Sequence, residues 1–118
     1  MPITLENAIA ELRRAIPSFT VDPEWEAEGL SYPVFNDFAR FICSEAEVLK
    51  YVESDEEATS LSMVPASMMF LEHALEEGDS AVRDLIDDCV QSLAACPQHE
   101  QIEAWAKPRV AAIWKQYQ

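Results

Sequence analysis

Apolar residues recur three and four positions apart from the start of the chain. Leu5, Ala8, Ile9, Leu12 and Ile16 fall on one side of a 3.6-residue helix. Thr4 is placed to cap the first amides, and Pro17 ends the run. Between Ser18 and Pro33 the periodicity stops, and Asp22, Glu24, Glu26 and Glu28 surround Trp25. This predicts a long connection, either an ordered strap with Trp25 plugging the core or a binding loop. The stripe resumes at Val34 and runs through Phe35, Phe38, Ala39, Phe41, Ile42, Val48, Leu49 and Val52, a second and thoroughly buried helix. Its phenylalanines read as core before they read as a ligand pocket.

Ser54-Asp55-Glu56-Glu57 has the form of a capping box, with Ser54 bonding forward and Glu57 reaching back. The helix it opens must kink or restart near Pro65, because proline lacks the amide hydrogen and clashes with the preceding turn. Met68 to Leu75 continues the apolar pattern to Gly78, expected as a left-handed stop. Asp79 and Ser80 then cap a helix whose buried stripe is Val82, Leu85, Ile86, Cys89, Val90 and Leu93. A link this short makes the two helices an antiparallel hairpin. Cys96-Pro97 ends the second, and Pro108 divides the tail that carries Ile102, Trp105, Val110, Ile113, Trp114 and Tyr117. The pattern predicts an all-α fold of five or six helices over residues 1 to 118, as antiparallel hairpins in a short repeat-like stack or an irregular bundle.

Composition supports this reading. The 118 residues include only two glycines, too few for the turns of an all-β design. A hydrophobic fraction of 49% is enough to fill one core and argues against general disorder. The formal charge of −14 repels phosphate backbones and anionic lipid, so neither nucleic acid nor membrane is expected as a partner. No apolar run approaches the roughly 20 residues that cross a bilayer, and Met1 to Arg14 is amphipathic rather than a leader's apolar block. A cytoplasmic location is expected. Cys43, Cys89 and Cys96 have no framework spacing and read as reduced, mostly buried thiols.

The chemistry-bearing residues form no catalytic motif. Cys96-Pro97-Gln98-His99, with Cys89 and His73 as completions, lacks the paired ligand spacing of a zinc site. Neither histidine follows a glutamate by three residues, as a di-iron bundle requires. Glu72 with Glu76, and Asp84 with Asp88, are acidic pairs too common in this composition to indicate acid/base catalysis, and Gly29 and Gly78 alone cannot write a phosphate-binding loop. No catalytic residue, metal ligand or cofactor is assigned. What stands out is the placement of charge. Residues 22 to 28, 45 to 57 and 72 to 88 carry −4, −5 and −6, which leaves +1 for the rest of the chain. Such local acidity serves solubility, or it steers a basic partner.

Phe70-Leu71-Glu72-His73-Ala74-Leu75-Glu76-Glu77-Gly78-Asp79, followed by Val82, Leu85 and Ile86, resembles the F-L-E-x-x-L-x-x-G-D-x-x-V segment of a family of small, acidic, helical bacterial proteins encoded beside polymorphic toxins. Phe35-Asn36-Asp37-Phe38-Ala39-Arg40-Phe41 and the Glu53 to Glu57 turn are similar in style. The region after Leu93 does not repeat the pattern. The resemblance implies an immunity protein, which docks an acidic face on a basic toxin domain. Its expected contacts are the aromatics Trp25, Tyr32 and Tyr51 with Glu24, Glu26, Glu28, Asp55, Glu56, Glu57, Glu76, Asp79, Asp84 and Asp88. A general helical adaptor and a small metal-binding protein are the alternatives.

Overall fold

The computed structural model describes residues 2 to 118. The chain is all-helical, with eight α-helices among the described residues rather than five or six. They are α1 (Ala8–Ala15), α2 (Pro23–Glu28), α3 (Ser31–Glu45), α4 (Asp55–Leu61), α5 (Val64–Glu77), α6 (Ser80–Ala94), α7 (His99–Glu103) and α8 (Pro108–Trp114). Short 3-10 helices follow α3 at Ala46–Tyr51 and α8 at Lys115–Tyr117. The higher number arises where a proline starts an extra turn or a buried polar residue breaks a helix.

The expected connection from Ser18 to Pro33 contains α2, with Pro23 in its first turn and the Asp22 carboxylate accepting from the amides of Glu24 and Trp25 at 2.9 and 3.3 Å. Pro33 lies inside the first turn of α3, where its missing N–H has no intrahelical partner to lose. Trp25 is half-buried against the core, the packing expected of an ordered strap. The break before Pro65 is a restart. Ser62 is extended and buried, and its hydroxyl donates to the Glu45 carbonyl at 3.0 Å while accepting from the Val64 amide at 3.1 Å. The Glu45 carboxylate accepts from the Met63 amide at 2.8 Å, fastening the end of α3 to the start of α5.

Three local expectations need correction. Thr4 does not cap α1: its amide donates to the Asn7 side chain at 2.8 Å, and α1 starts only at Ala8. Leu5 therefore lies outside the helix and is partly exposed, while Ile3 is the buried residue of this segment. The second helix stops at Glu45 rather than running to Val52, because its last turns tighten into the 3-10 helix. Gly78 is extended, not left-handed, and pairs with Ile3 in an isolated parallel bridge. The Ile3 amide donates to the Glu77 carbonyl at 3.0 Å, and the Asp79 amide donates to the Ile3 carbonyl at 3.4 Å.

The α5–α6 hairpin forms as expected, with the Asp79 side chain accepting from the Val82 amide at 3.0 Å. Across the core the most extensive helix contact joins α3 to α6, which are remote in sequence. Both helices begin near the N-terminal segment: Ser31 donates to the Leu5 carbonyl at 3.4 Å, and Gly78 bridges Ile3. One cluster of buried side chains, from Ile3 to Trp114, is shared by these elements. Phe38 lies fully buried within it, with the rings of Phe19, Phe35, Phe41 and Phe70 centred 5.3, 6.2, 6.2 and 6.2 Å away.

The tail closes the core through α8. Glu72 on α5 accepts from the backbone amides of Arg109 at 3.0 Å and Val110 at 3.0 Å, and its other oxygen meets the Arg109 guanidinium at 3.1 Å. A carboxylate from another helix thus caps α8, at a site where Pro108 has already removed one orphan donor. Tyr117 donates its hydroxyl to the Asp87 carboxylate, a bond that raises the tyrosine's pKa above its ordinary value of 10.0, with a smaller contribution from burial. A raised folded value favours the protonated phenol, so this contribution to stability is complete below the unfolded pKa. It is lost as pH rises through the folded value. Chemical denaturation of the wild type and Tyr117→Phe at about pH 9 and at higher pH is therefore expected to give a stability difference that shrinks as alkalinity increases. A difference unchanged across that range would show that the bond does not couple to folding.

Candidate functional site

The three acidic windows occupy different places in the fold. Residues 22 to 28 form α2, beside the beginning of α3, whereas residues 45 to 57 start at the end of α3. Fifteen helical residues separate those positions along α3, about 22 Å at the helical rise. Residues 72 to 88 span the end of α5 and most of α6, starting near the Ile3 bridge. The first two windows therefore belong to opposite ends of the bundle and do not merge into one face.

The windows also differ in how much of their charge the protein satisfies internally. In the first, Glu26 meets Arg13 at 2.6 Å and Asp22 caps α2, leaving Glu24 and Glu28 exposed with no ion pair among the described residues. Tyr32, in the first turn of α3, is 43% exposed beside the partly exposed Leu30. In the third, Glu72 and Glu76 approach Arg109 at 3.1 and 3.6 Å, Asp79 caps α6, and Asp87 accepts from Tyr117. Asp84 is exposed, and Asp88 is half-buried in a groove between α3 and α6.

The middle window differs from both. Glu45 serves the start of α5, but Glu47, Glu53, Asp55, Glu56 and Glu57 have no ion pair among the described residues, although the exposed Lys50 lies in the same window. Glu47, Glu53, Asp55 and Glu56 are exposed, while Glu57 is half-buried. Only the forward half of the expected capping box forms, with the Glu57 amide donating to the Ser54 hydroxyl at 3.1 Å. Asp55, Glu56 and Glu57 occupy the first turn of α4, where the positive end of the helix dipole favours carboxylates. The dipole does not reach Glu47 and Glu53, which lie outside that turn. Tyr51, at the end of the 3-10 helix, is 80% exposed, and Leu61 at the end of α4 is 56% exposed.

The sequence pattern does not reveal Leu61 as a surface residue, because it falls on the same apolar spacing as the core positions. Its exposure follows from the break at buried Ser62, a polar residue with no distinctive one-dimensional signal. The pairing of Arg109 with α5 was equally hidden, since 37 positions separate it from Glu72. The groove between α3 and α6 has a volume of about 630 Å³ and is lined by Asn36, Arg40, Cys43, Asp88, Ser92 and Cys96, among others. Among the described residues no three His, Cys, Asp or Glu side chains are grouped to hold a metal ion, and no helix is long and apolar enough to cross a membrane.

No family model, curated protein or solved structure matches this chain.

Proposed function

We propose that this protein is a non-enzymatic binding protein that neutralises a basic protein partner, a toxin domain, by docking an acidic end of the bundle on it. The observation that carries this reading is the middle window: Glu47, Glu53, Asp55 and Glu56 are exposed with no ion pair among the described residues, Lys50 is the window's single base, and Tyr51 within it is 80% exposed. Unpaired carboxylates in this arrangement attract a basic surface over distance, and Tyr51 and Leu61 offer apolar area once contact is made. The first window supplies a smaller second surface, with Glu24 and Glu28 beside Tyr32. In the third, most carboxylates already hold the fold together. The immunity reading adds blocking of the toxin's active surface to this binding role, in keeping with the resemblance of the Phe70 to Ile86 segment.

The test is to purify the protein with the product of the gene encoded beside its own and measure affinity by calorimetry. Tyr51→Ala is expected to weaken the complex by about 30-fold, the loss of an aromatic anchor. Glu53→Gln with Glu56→Gln is expected to slow association and flatten its salt dependence. Wild-type affinity in both variants, with association indifferent to salt, would remove this surface from consideration. Survival of cells co-expressing that product with the wild type, and their death with a variant combining Tyr51→Ala, Glu53→Gln and Glu56→Gln, distinguishes neutralisation from passive scaffolding.

A further inference from the structure

Cys43 lies in the last turns of α3 and Cys96 just beyond α6, 53 positions later in the sequence, yet both line the groove between these helices. Their side chains line the same groove closely enough for Cys96 to act on the Cys43 thiol, and each is only half-buried. The third cysteine, Cys89, is fully buried on the core side of α6. All three cysteines are free, as expected of reduced thiols, but full burial holds for Cys89 alone. Two half-buried thiols on one groove, with a sealed third one on the core side, form a pair that an oxidant can enter and that can resolve internally.

We propose that Cys43 and Cys96 are a reversible modification site, a dithiol that low-molecular-weight disulfides such as oxidised glutathione convert into an intramolecular disulfide joining α3 to the end of α6. In the first step the Cys96 thiolate, its proton released to solvent, attacks one sulfur of oxidised glutathione. The glutathione disulfide bond breaks, one glutathione thiolate leaves and takes up a proton, and Cys96 carries the mixed disulfide. Cys43 then loses its proton and attacks the Cys96 sulfur, which expels the second glutathione. Two cysteines are oxidised, and one oxidised glutathione is reduced to two thiols. Cys43 is the resolving partner because burial, with the hydrogen bond to Cys96, pushes its thiol up to about 12. Its attack depends on being held beside the mixed disulfide rather than on a large thiolate population.

The bond would tie the chain after α6 to α3. That chain leads directly into α7, which packs against the 3-10 helix bearing Tyr51. Oxidation would thus stiffen the scaffold beneath the acidic end, whether or not that end binds a partner.

The experiment uses the native, full-length wild type incubated with oxidised glutathione, followed by thiol titration and peptide mapping by mass spectrometry. The expected result is a fall from three free thiols to one, a Cys43–Cys96 cross-linked peptide in a monomeric protein, and recovery of all three thiols with dithiothreitol. Amide exchange across residues 96 to 103 should slow in the oxidised form. Stable glutathione on Cys96 without the cross-link, a disulfide-linked dimer, a bond to Cys89 or no reaction would each overturn the proposal. In Cys43→Ser the mixed disulfide is expected to persist on Cys96, which separates the resolving step from the entry step. Because the wild-type map decides the pairing, a variant that fails to fold does not rescue the idea.

Discussion

Phe38→Ala is expected to remove about 3–5 kcal/mol from the free energy of folding, the range for emptying a fully buried aromatic site. Phe38 is 0% exposed and touches rings from three parts of the chain: Phe19 after α1, Phe35 and Phe41 on its own helix, and Phe70 on α5. Its edge-to-face arrangement with Phe35 and Phe70 adds aromatic pair energy to the area that leaves water. The cavity would open between helices fixed by other contacts, so collapse of the neighbours can recover only part of the loss. Urea unfolding followed by circular dichroism measures this effect. A loss below about 1 kcal/mol would place the mechanical centre of the core elsewhere. Phe38→Leu, which keeps much of the volume, is expected to cost less than the alanine change.

Gly78→Ala is expected to destabilise the fold by about 3 kcal/mol, the upper part of the usual range for overpacking. A methyl group at this position would stand 2.4 Å from the Ala74 carbonyl oxygen and 2.6 Å from Val82 Cγ1. The first neighbour is backbone, fixed by the last turn of α5, and the second is fully buried at the start of α6. Relief requires the hairpin to open or the Ile3 bridge to break. Gly29→Ala supplies the control: its φ of +67° disfavours a side chain, but nothing lies within 4 Å of the added carbon. Left-handed backbone alone costs about 1–2 kcal/mol in an L-residue. Gly78→Ala should therefore lower the unfolding midpoint further than Gly29→Ala, and the reverse order would show that the hairpin opens at little cost.

The reason for Gly78 illustrates where linear reasoning lost its grip. A glycine after a helical run and before an Asp-Ser pair has the pattern of a left-handed helix stop. The structure assigns that conformation to Gly29 and uses Gly78 for close approach between α5, α6 and the N-terminal segment. Local sequence supplied the hairpin and its Asp79 cap, because both depend on residues only a few positions apart. It did not supply the Ile3 bridge, whose partners are separated by most of the chain. The same distinction applies to Glu72. As one member of an i, i+4 acidic pair it carried no signal, whereas its actual role is to cap α8.

The candidate site was legible to a different degree. Charge windows are counts, so the sequence located the acidic segments, and the prolines and capping residues located most helix starts. Which carboxylates remain free was not countable. Glu26, Glu76 and Asp79 are engaged with Arg13, Arg109 and the α6 amides, while Asp55 and Glu56 are exposed with no ion pair among the described residues. Trp25 looks like Tyr51 in a one-dimensional reading, an aromatic among acids, yet one packs against the core and the other is 80% exposed.

The sequence by itself determined that this protein is helical and acidic, because helix periodicity, capping and charge number are properties of neighbouring residues and of composition. Tertiary structure decided how the acidity is distributed in space: it set Arg13 against the first window and Arg109 against the third, and left the carboxylates of the Tyr51 window without an ion pair among the described residues. It also brought Cys43 beside Cys96. The placing of Cys43 near Cys96 depends on how α3 and α6, remote in sequence, pack together, and pairwise proximity of that kind is fixed by burying side chains in a common core rather than by local preference.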